Sequence, residues 1–279
     1  MTVVCLDLDR TTIYSAAALD LREPDHEAPR LLCVEIYKGA PLSFLTEAAA
    51  ATLRDLQDVA TVVPTTTRTP AQLARVHLPG PPPRFAIASN GGHLLVDGGD
   101  GVLRADPEWD LAVRIRLATC APLAEVQAHL RARGGPFMLA LREASELFAY
   151  AVVDRAALPD GWVDDLAAWC DQRGWTVSLQ GRKVYAVPAG LTKSAAAAEV
   201  VARCGGGPLL AAGDSLLDAD LLDAADAAIR PAHGELAQTG FTRPHLAVTA
   251  ATGAAAGEEL LGRLYEWATD PAMSVSGSL

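Results

Sequence analysis

The segment TVVCLDLDRTTIY at residues 2–14 sets two aspartates, Asp7 and Asp9, at the end of a run of β-branched and aliphatic residues. The run reads as a buried strand from about Thr2 to Leu8. A carboxylate there is expensive to desolvate unless a cation or a metal meets it. Side chains two apart on an extended strand share one face, so both acids can act on one ligand. Further polar groups stand at other expected strand ends or helix starts: Thr65, Thr66, Thr67 and Arg68 in PTTTRT, Lys193 ahead of SAAAAEVVARCG, and Asp214 with Asp218 in GDSLLDADLL. These are acids, hydroxyl donors and cations, the groups needed to hold a metal ion and an anionic ligand.

The elements that must position these groups alternate. The apolar run at 2–8 is followed by RLLCVEIYKG (30–39), which reads as a strand ending at a glycine, and by SFLTEAAAATLRDL (43–56), a helix with Ser43 as N-cap and Glu47 early in it. VATVVPTTTRT (59–69) is again an apolar strand running into hydroxyls, so the order is β, α, β, as in a parallel open sheet. In such sheets ligands bind beyond the carboxyl ends of the strands. RFAIASNGGHLLVDGG (84–99) reads as a hairpin turning at Asn90-Gly91-Gly92.

From about residue 102 to 185 the texture is α+β without acidic strand ends, with helices expected near 122–133 and 162–173. The predicted layout is therefore an α/β protein with a Rossmann-like open parallel sheet core at 1–102 and 186–279 and an inserted α+β domain at 103–185. In the second core segment the expected elements are a helix at 194–205, strands in GPLLAAGDS and AAIRPA, a short helix in DADLLDAAD and a closing helix in GEELLGRLYEWA. The last nine or so residues are expected to fray.

With 279 residues, half of them hydrophobic, the chain can bury a substantial core. Its formal charge of −11 opposes general affinity for nucleic acid or an anionic membrane surface. The five cysteines form no metal-binding spacing and suit a reducing compartment. No apolar run approaches a membrane span and no leader pattern opens the chain, so a soluble, cytoplasmic protein is expected.

In order, DLDRT (7–11), TTTR (65–68), GLTKSAA (190–196) and GDSLLDADLL (213–222) resemble the four motifs of the haloacid dehalogenase (HAD) superfamily of phosphohydrolases. The SNGG turn and the insertion between the second and third motifs are similar to the Cof-type, sugar-phosphatase-like branch with a type II α/β cap. The resemblance implies a Mg²⁺-dependent phosphoric monoester hydrolase acting on a small phosphorylated metabolite, a sugar phosphate for example, through an aspartyl-phosphate. It makes Asp7 the nucleophile and Asp9 the general acid–base, with Thr66 and Lys193 completing the catalytic set. The implied metal ligands are Asp7, the backbone carbonyl of Asp9, and Asp214, with Asp218 supporting the metal or its waters. Arg10, Thr67, Arg68 and Asn90 are the implied substrate-binding residues.

Three positions depart from the family pattern. Arg10 and Thr67 stand where glycine is usual, and Leu217 where asparagine is usual. Arg10 adds a long cation beside the site and is expected to contact the substrate or close over its phosphate. Two alternatives stay open: a phosphomutase of the same superfamily, or a catalytically weak member that binds a phosphorylated ligand or serves as a scaffold. Arg114, Arg116, Arg142 and Arg182 of the insertion read as solvated side chains. Substrate identity and oligomeric state are not specified by the sequence.

Overall fold

The computed structural model describes residues 1–272, and the chain divides into two compact units, Met1–Ala105 with Lys193–Leu279, and Asp106–Thr192. The first is built on a five-stranded parallel sheet in the order Leu246–Val248, Ala227–Arg230, Leu209–Ala212, Val3–Leu6, Thr61–Pro64. Alternation along the strands divides their side chains between two helical layers. Val4, Leu6, Val62, Leu210 and Ile229 join Leu53 and Leu56 of the helix Glu47–Val59 and Leu260, Leu261 and Leu264 of the helix Gly253–Thr269 in one buried cluster. Val3, Cys5, Val63, Ala211 and Ala228 alternate to the other side, where the helices Lys193–Arg203 and Ala219–Ala224 pack on the sheet.

Val3–Leu6 is central, and this is what brings distant segments together. Leu6 pairs with Pro64 on one side and with Ala212 on the other, so three neighbouring strands release the chain at one level, at Asp7, Thr65 and Gly213. Beyond the Thr61–Pro64 edge, Thr66 N–H donates to Ile87 O at 2.8 Å, which attaches the antiparallel sheet Phe85–Ala88, His93–Asp97, Leu103–Ala105. The SNGG turn joins the first two strands of that sheet, with Ala88 opposite His93, as the hairpin reading required.

Several expectations are corrected here. The segment Leu31–Tyr37 is a strand, but it lies outside the parallel sheet, pairing with Ala40–Thr46 in a separate antiparallel sheet with Tyr14–Ser15. That pairing consumes Ser43, so the following helix starts later, at Glu47, and its N-cap is Thr46, whose Oγ1 accepts from Ala49 N–H at 3.1 Å. Leu246–Val248 is an additional edge strand of the core. The fraying expected of the last nine or so residues lies, from residue 273 onward, outside the described residues.

The second unit is a four-stranded antiparallel sheet ordered Trp175–Gln180, Lys183–Pro188, Phe148–Val153, Met138–Ala144, with helices Pro107–Leu117, Leu123–Arg133 and Trp162–Asp171. Two indoles tie its helices and loops together, Trp162 Nε1 donating to Arg133 O and Trp175 Nε1 to Ala121 O, both at 2.9 Å. The unit runs 106–192 where 103–185 was expected. Leu103–Ala105 is claimed by its pairing with His93–Asp97, and Lys183–Pro188 is an inner strand of the inserted sheet. Among the described residues no helix is long and apolar enough to cross a membrane.

Candidate active site

The strand Val3–Leu6 stops before Asp7, because the N–H groups of Thr12 and Ile13 turn back to Leu8 O at 2.9 and 2.8 Å. The shared-face geometry expected of an extended Asp7–Asp9 pair is therefore replaced by a tight turn, and the two carboxylates take different partners. Asp7 Oδ1 accepts from Lys193 Nζ at 2.8 Å, while Asp9 meets Arg68 through two bonds of 2.8 Å. Thr12 Oγ1 donates to Asp7 O at 2.7 Å and Asp7 N–H to Ala212 O at 3.0 Å, so the Asp7 backbone is anchored from both sides.

Lys193 opens the helix Lys193–Arg203 and is fully buried. Its ammonium is shared between Asp7 and Asp218. The helix start is held by Asp220 Oδ2, which accepts from Ser194 N–H at 2.7 Å. Asp218 is saturated: Oδ1 takes Lys193, and Oδ2 accepts from Asp214 N, Ser215 N and Ser215 Oγ at 3.2, 2.9 and 2.7 Å. This wrap explains Gly213, where an added Cβ would lie 2.3 Å from Asp218 Cβ.

Oxygens of Asp7, Asp214 and Asp218 lie within 4.8 Å of one another, all buried. The electrostatic cost is visible in their protonation. Burial, with repulsion from Asp218, pushes the Asp7 carboxyl up to about 7 despite Lys193. Burial with repulsion from Asp7 and Asp218 likewise holds Asp214 well above the usual carboxylate range. Burial acts to lower Lys193, but Asp218 and Asp7 outweigh it and keep the ammonium charged far above its ordinary value.

The second motif forms the other wall. Thr66 is buried, and its Oγ1 accepts from Arg68 N–H at 3.2 Å. Thr67 is buried beside it. The SNGG turn is pinned to this loop, Ser89 N–H donating to Arg68 O at 2.7 Å and Asn90 N–H to Thr66 O at 3.0 Å. Arg10, 40% exposed at its side chain, places Nε 3.4 Å from Asp214 Oδ2. The residues singled out in the sequence thus fall into two linked groups, Asp7, Lys193, Asp214, Asp218 and Arg10 in one, and Asp9, Arg68, Thr66, Thr67 and Asn90 in the other. Leu217 is buried in the short turn 216–218, and nothing in the structure explains its replacement of a polar residue.

Sequence reasoning missed Glu35. It is fully buried and accepts from Arg68 Nη1 at 2.8 Å, Arg75 Nε at 3.2 Å and Ser43 Oγ at 2.7 Å. Arg68 is thereby stretched between an exposed acid, Asp9, and a buried one, and both carry its guanidinium above its ordinary value against the effect of burial. The signal was available: an acid between Val34 and Ile36 in an otherwise apolar strand needs a partner. His233 was missed as well; it lies just past the strand Ala227–Arg230, at the same edge of the sheet.

Two outcomes follow from these contacts. Glu35→Ala leaves Arg68 buried beside an empty place and should cost about 3–5 kcal/mol in urea denaturation; a loss under about 1 kcal/mol, as for a surface pair, would contradict the assigned burial. In the cation-free protein, a carboxyl moved from 3.8 to about 7 favours the folded state below its ordinary value and loses that contribution as pH rises through about 7. The melting temperature without divalent ions should therefore fall more steeply from about pH 5 to pH 8 in the wild type than in Asp7→Asn. Equal slopes would show that Asp7 is not raised.

No family model matches the chain, and no curated protein matches it in sequence. Solved structures do. Sucrose-phosphatase from Synechocystis, in complex with sucrose and phosphate, matches with a TM-score of 0.57 at 14% identity, over 94% of this chain and 97% of that one. The C-terminal domain of trehalose-6-phosphate phosphatase from Candida albicans gives 0.57 at 12%, over 95% and 92%. A haloacid dehalogenase-like hydrolase from Bacillus subtilis gives 0.50 at 11%, over 94% and 90%. At these identities the likeness is one of architecture: the chain has the haloacid dehalogenase fold, an open parallel sheet interrupted by an inserted α/β unit.

Proposed function

We propose that this protein is a Mg²⁺-dependent phosphatase that hydrolyses a small phosphorylated metabolite through an aspartyl-phosphate. The observation that carries the reading is the meeting of Asp7, Asp214 and Asp218 around one buried lysine at the carboxyl edge of the sheet. Three carboxylates within 4.8 Å are a hard-oxygen donor set. The raised carboxyls of Asp7 and Asp214 mark a cluster short of positive charge. A divalent cation fits both features. Asp7 and Asp214 would hold it together with the Asp9 carbonyl, and Asp218, whose oxygens are already engaged, braces Asp214 and Lys193. When bound, Mg²⁺ supplies charge neutralisation and orientation of the phosphoryl group.

The chain's own residues do the rest. Lys193 fixes the Asp7 rotamer, and one Asp7 oxygen attacks phosphorus as the ester P–O bond breaks. Asp9 turns from Arg68, takes up a proton from solvent as that ion pair breaks, delivers it to the leaving alkoxide, and is left ionised. It then takes a proton from the water that attacks the phosphoryl group, which departs as inorganic phosphate and restores Asp7. Thr66 accepts from Arg68 N–H and so keeps its hydroxyl hydrogen for a phosphoryl oxygen. Arg10, Thr67, Arg68 and Asn90 surround the group with donors. All five cysteines are free, which supports a reducing, cytoplasmic setting.

A sugar phosphate is the favoured substrate class. The sucrose and trehalose 6-phosphate named for the structural relatives support it.

Phosphate release from a panel of phosphorylated metabolites with Mg²⁺ tests the activity, and Asp7→Asn should lower kcat by about 10⁴-fold or more. Turnover retained in that variant would overturn the mechanism, and isomerised product without phosphate would reassign the protein as a mutase.

A further inference from the structure

Arg10 occupies a backbone conformation that arginine rarely adopts. Its φ is 67°, in the left-handed region, where a non-glycine residue is strained. The surroundings hold it there. Arg10 N–H donates to Ile13 O at 2.8 Å, and the Arg10 carbonyl lies 2.7 Å from His233 Nε2. The ring's other nitrogen, Nδ1, accepts from Gly253 N–H at 3.2 Å, so the proton sits on Nε2 and is donated to Arg10 O. Gly253, at φ 60°, is itself irreplaceable: a Cβ there would lie 2.2 Å from Leu19 O.

The residue after His233 fixes the other side of the same contact. Gly234, at φ 93°, passes so near Asp214 that a Cβ would lie 2.6 Å from both Asp214 O and Asp214 Oδ2. Leu236 N–H donates to Asp214 O at 3.0 Å. One short loop, 233–236, therefore anchors both ends of the Arg10–Asp214 pair. In the cluster, three carboxylates face two cations, and of these Lys193 is fully buried while Arg10 is partly exposed.

We propose that Arg10 is a tethered counter-ion that competes with the divalent metal for Asp214, and that His233 is the positioning residue that holds it in place. The proposal rests on the functional reading above. With the metal absent, Arg10 limits the repulsion among the buried acids. With Asp214 taken by the metal, the guanidinium is released on a backbone that cannot relax and turns to the anionic substrate beside Asp9. Glycine at this position would leave the cluster one cation poorer, binding metal more tightly but without that donor.

Direct calorimetric titration of the full chain with Mg²⁺, at constant ionic strength and without substrate, tests this. Arg10→Gly, whose backbone suits φ 67°, should bind Mg²⁺ about tenfold more tightly. His233→Ala should shift the affinity in the same direction by less, and His233→Gln, which still carries a donor, should restore the wild-type value. The double variant Arg10→Gly/His233→Ala should match Arg10→Gly, because His233 acts through Arg10. Unchanged or weaker binding in Arg10→Gly overturns the competition; additive effects overturn the role of His233. A wild-type protein that binds no Mg²⁺ would instead overturn the functional reading, a result separable from either.

Discussion

A fully buried ammonium between two carboxylates is the constraint around which this molecule is organised. Lys193 has no exposure, and such a charge persists only because Asp7 and Asp218 meet it. The partners come from positions 7 and 218, so the sheet must align the strands that deliver them. Placing Val3–Leu6 between Leu209–Ala212 and Thr61–Pro64 does so, and the helix Lys193–Arg203 then packs over the same strands to bring in the cation. The small residues Ala196 and Ala197, both fully buried in that helix, let it approach closely enough for a lysine side chain to reach under the sheet edge.

Around this centre the charges are graded by burial. Asp7, Asp214 and Asp218 are deep and crowded, Asp9 and Arg10 are partly exposed, and Arg68 spans the two levels through Glu35. The gradient suits the proposed mechanism. A nucleophile must be fixed, whereas a proton carrier must exchange with incoming groups and with water. Glu35, on an antiparallel hairpin that carries none of the four sequence motifs, anchors Arg68 and Arg75 from beneath the exposed side.

Much of the core was legible in the sequence because function forces residues to break local rules. Aspartates at the ends of apolar strands, hydroxyls after VATVV and a lysine heading an alanine-rich helix are each costly without a partner, so each pointed to its neighbours. What escaped was set by tertiary pairing. Leu31–Tyr37 has strand composition whichever sheet receives it, and only its pairing with Ala40–Thr46 displaced the helix start from Ser43 to Thr46. Leu246–Val248 is apolar but only three residues long, too short a run to mark a strand in the sequence. The Asp7–Asp9 spacing was read as extended because two-residue periodicity assumes a strand, whereas the chain turns at once. Arg10 looked like a lost glycine, and only the geometry of His233 and Gly253 explains how arginine is tolerated there.

The most direct measurement is to quench the protein with acid during turnover of a phosphate ester and map the phosphoryl adduct by peptide mass spectrometry. A phosphoryl group on the carboxylate of Asp7, accumulating and decaying at rates that account for turnover, is the result this architecture predicts. Turnover that proceeds with the adduct on another residue, or with none formed at a competent rate, would contradict it.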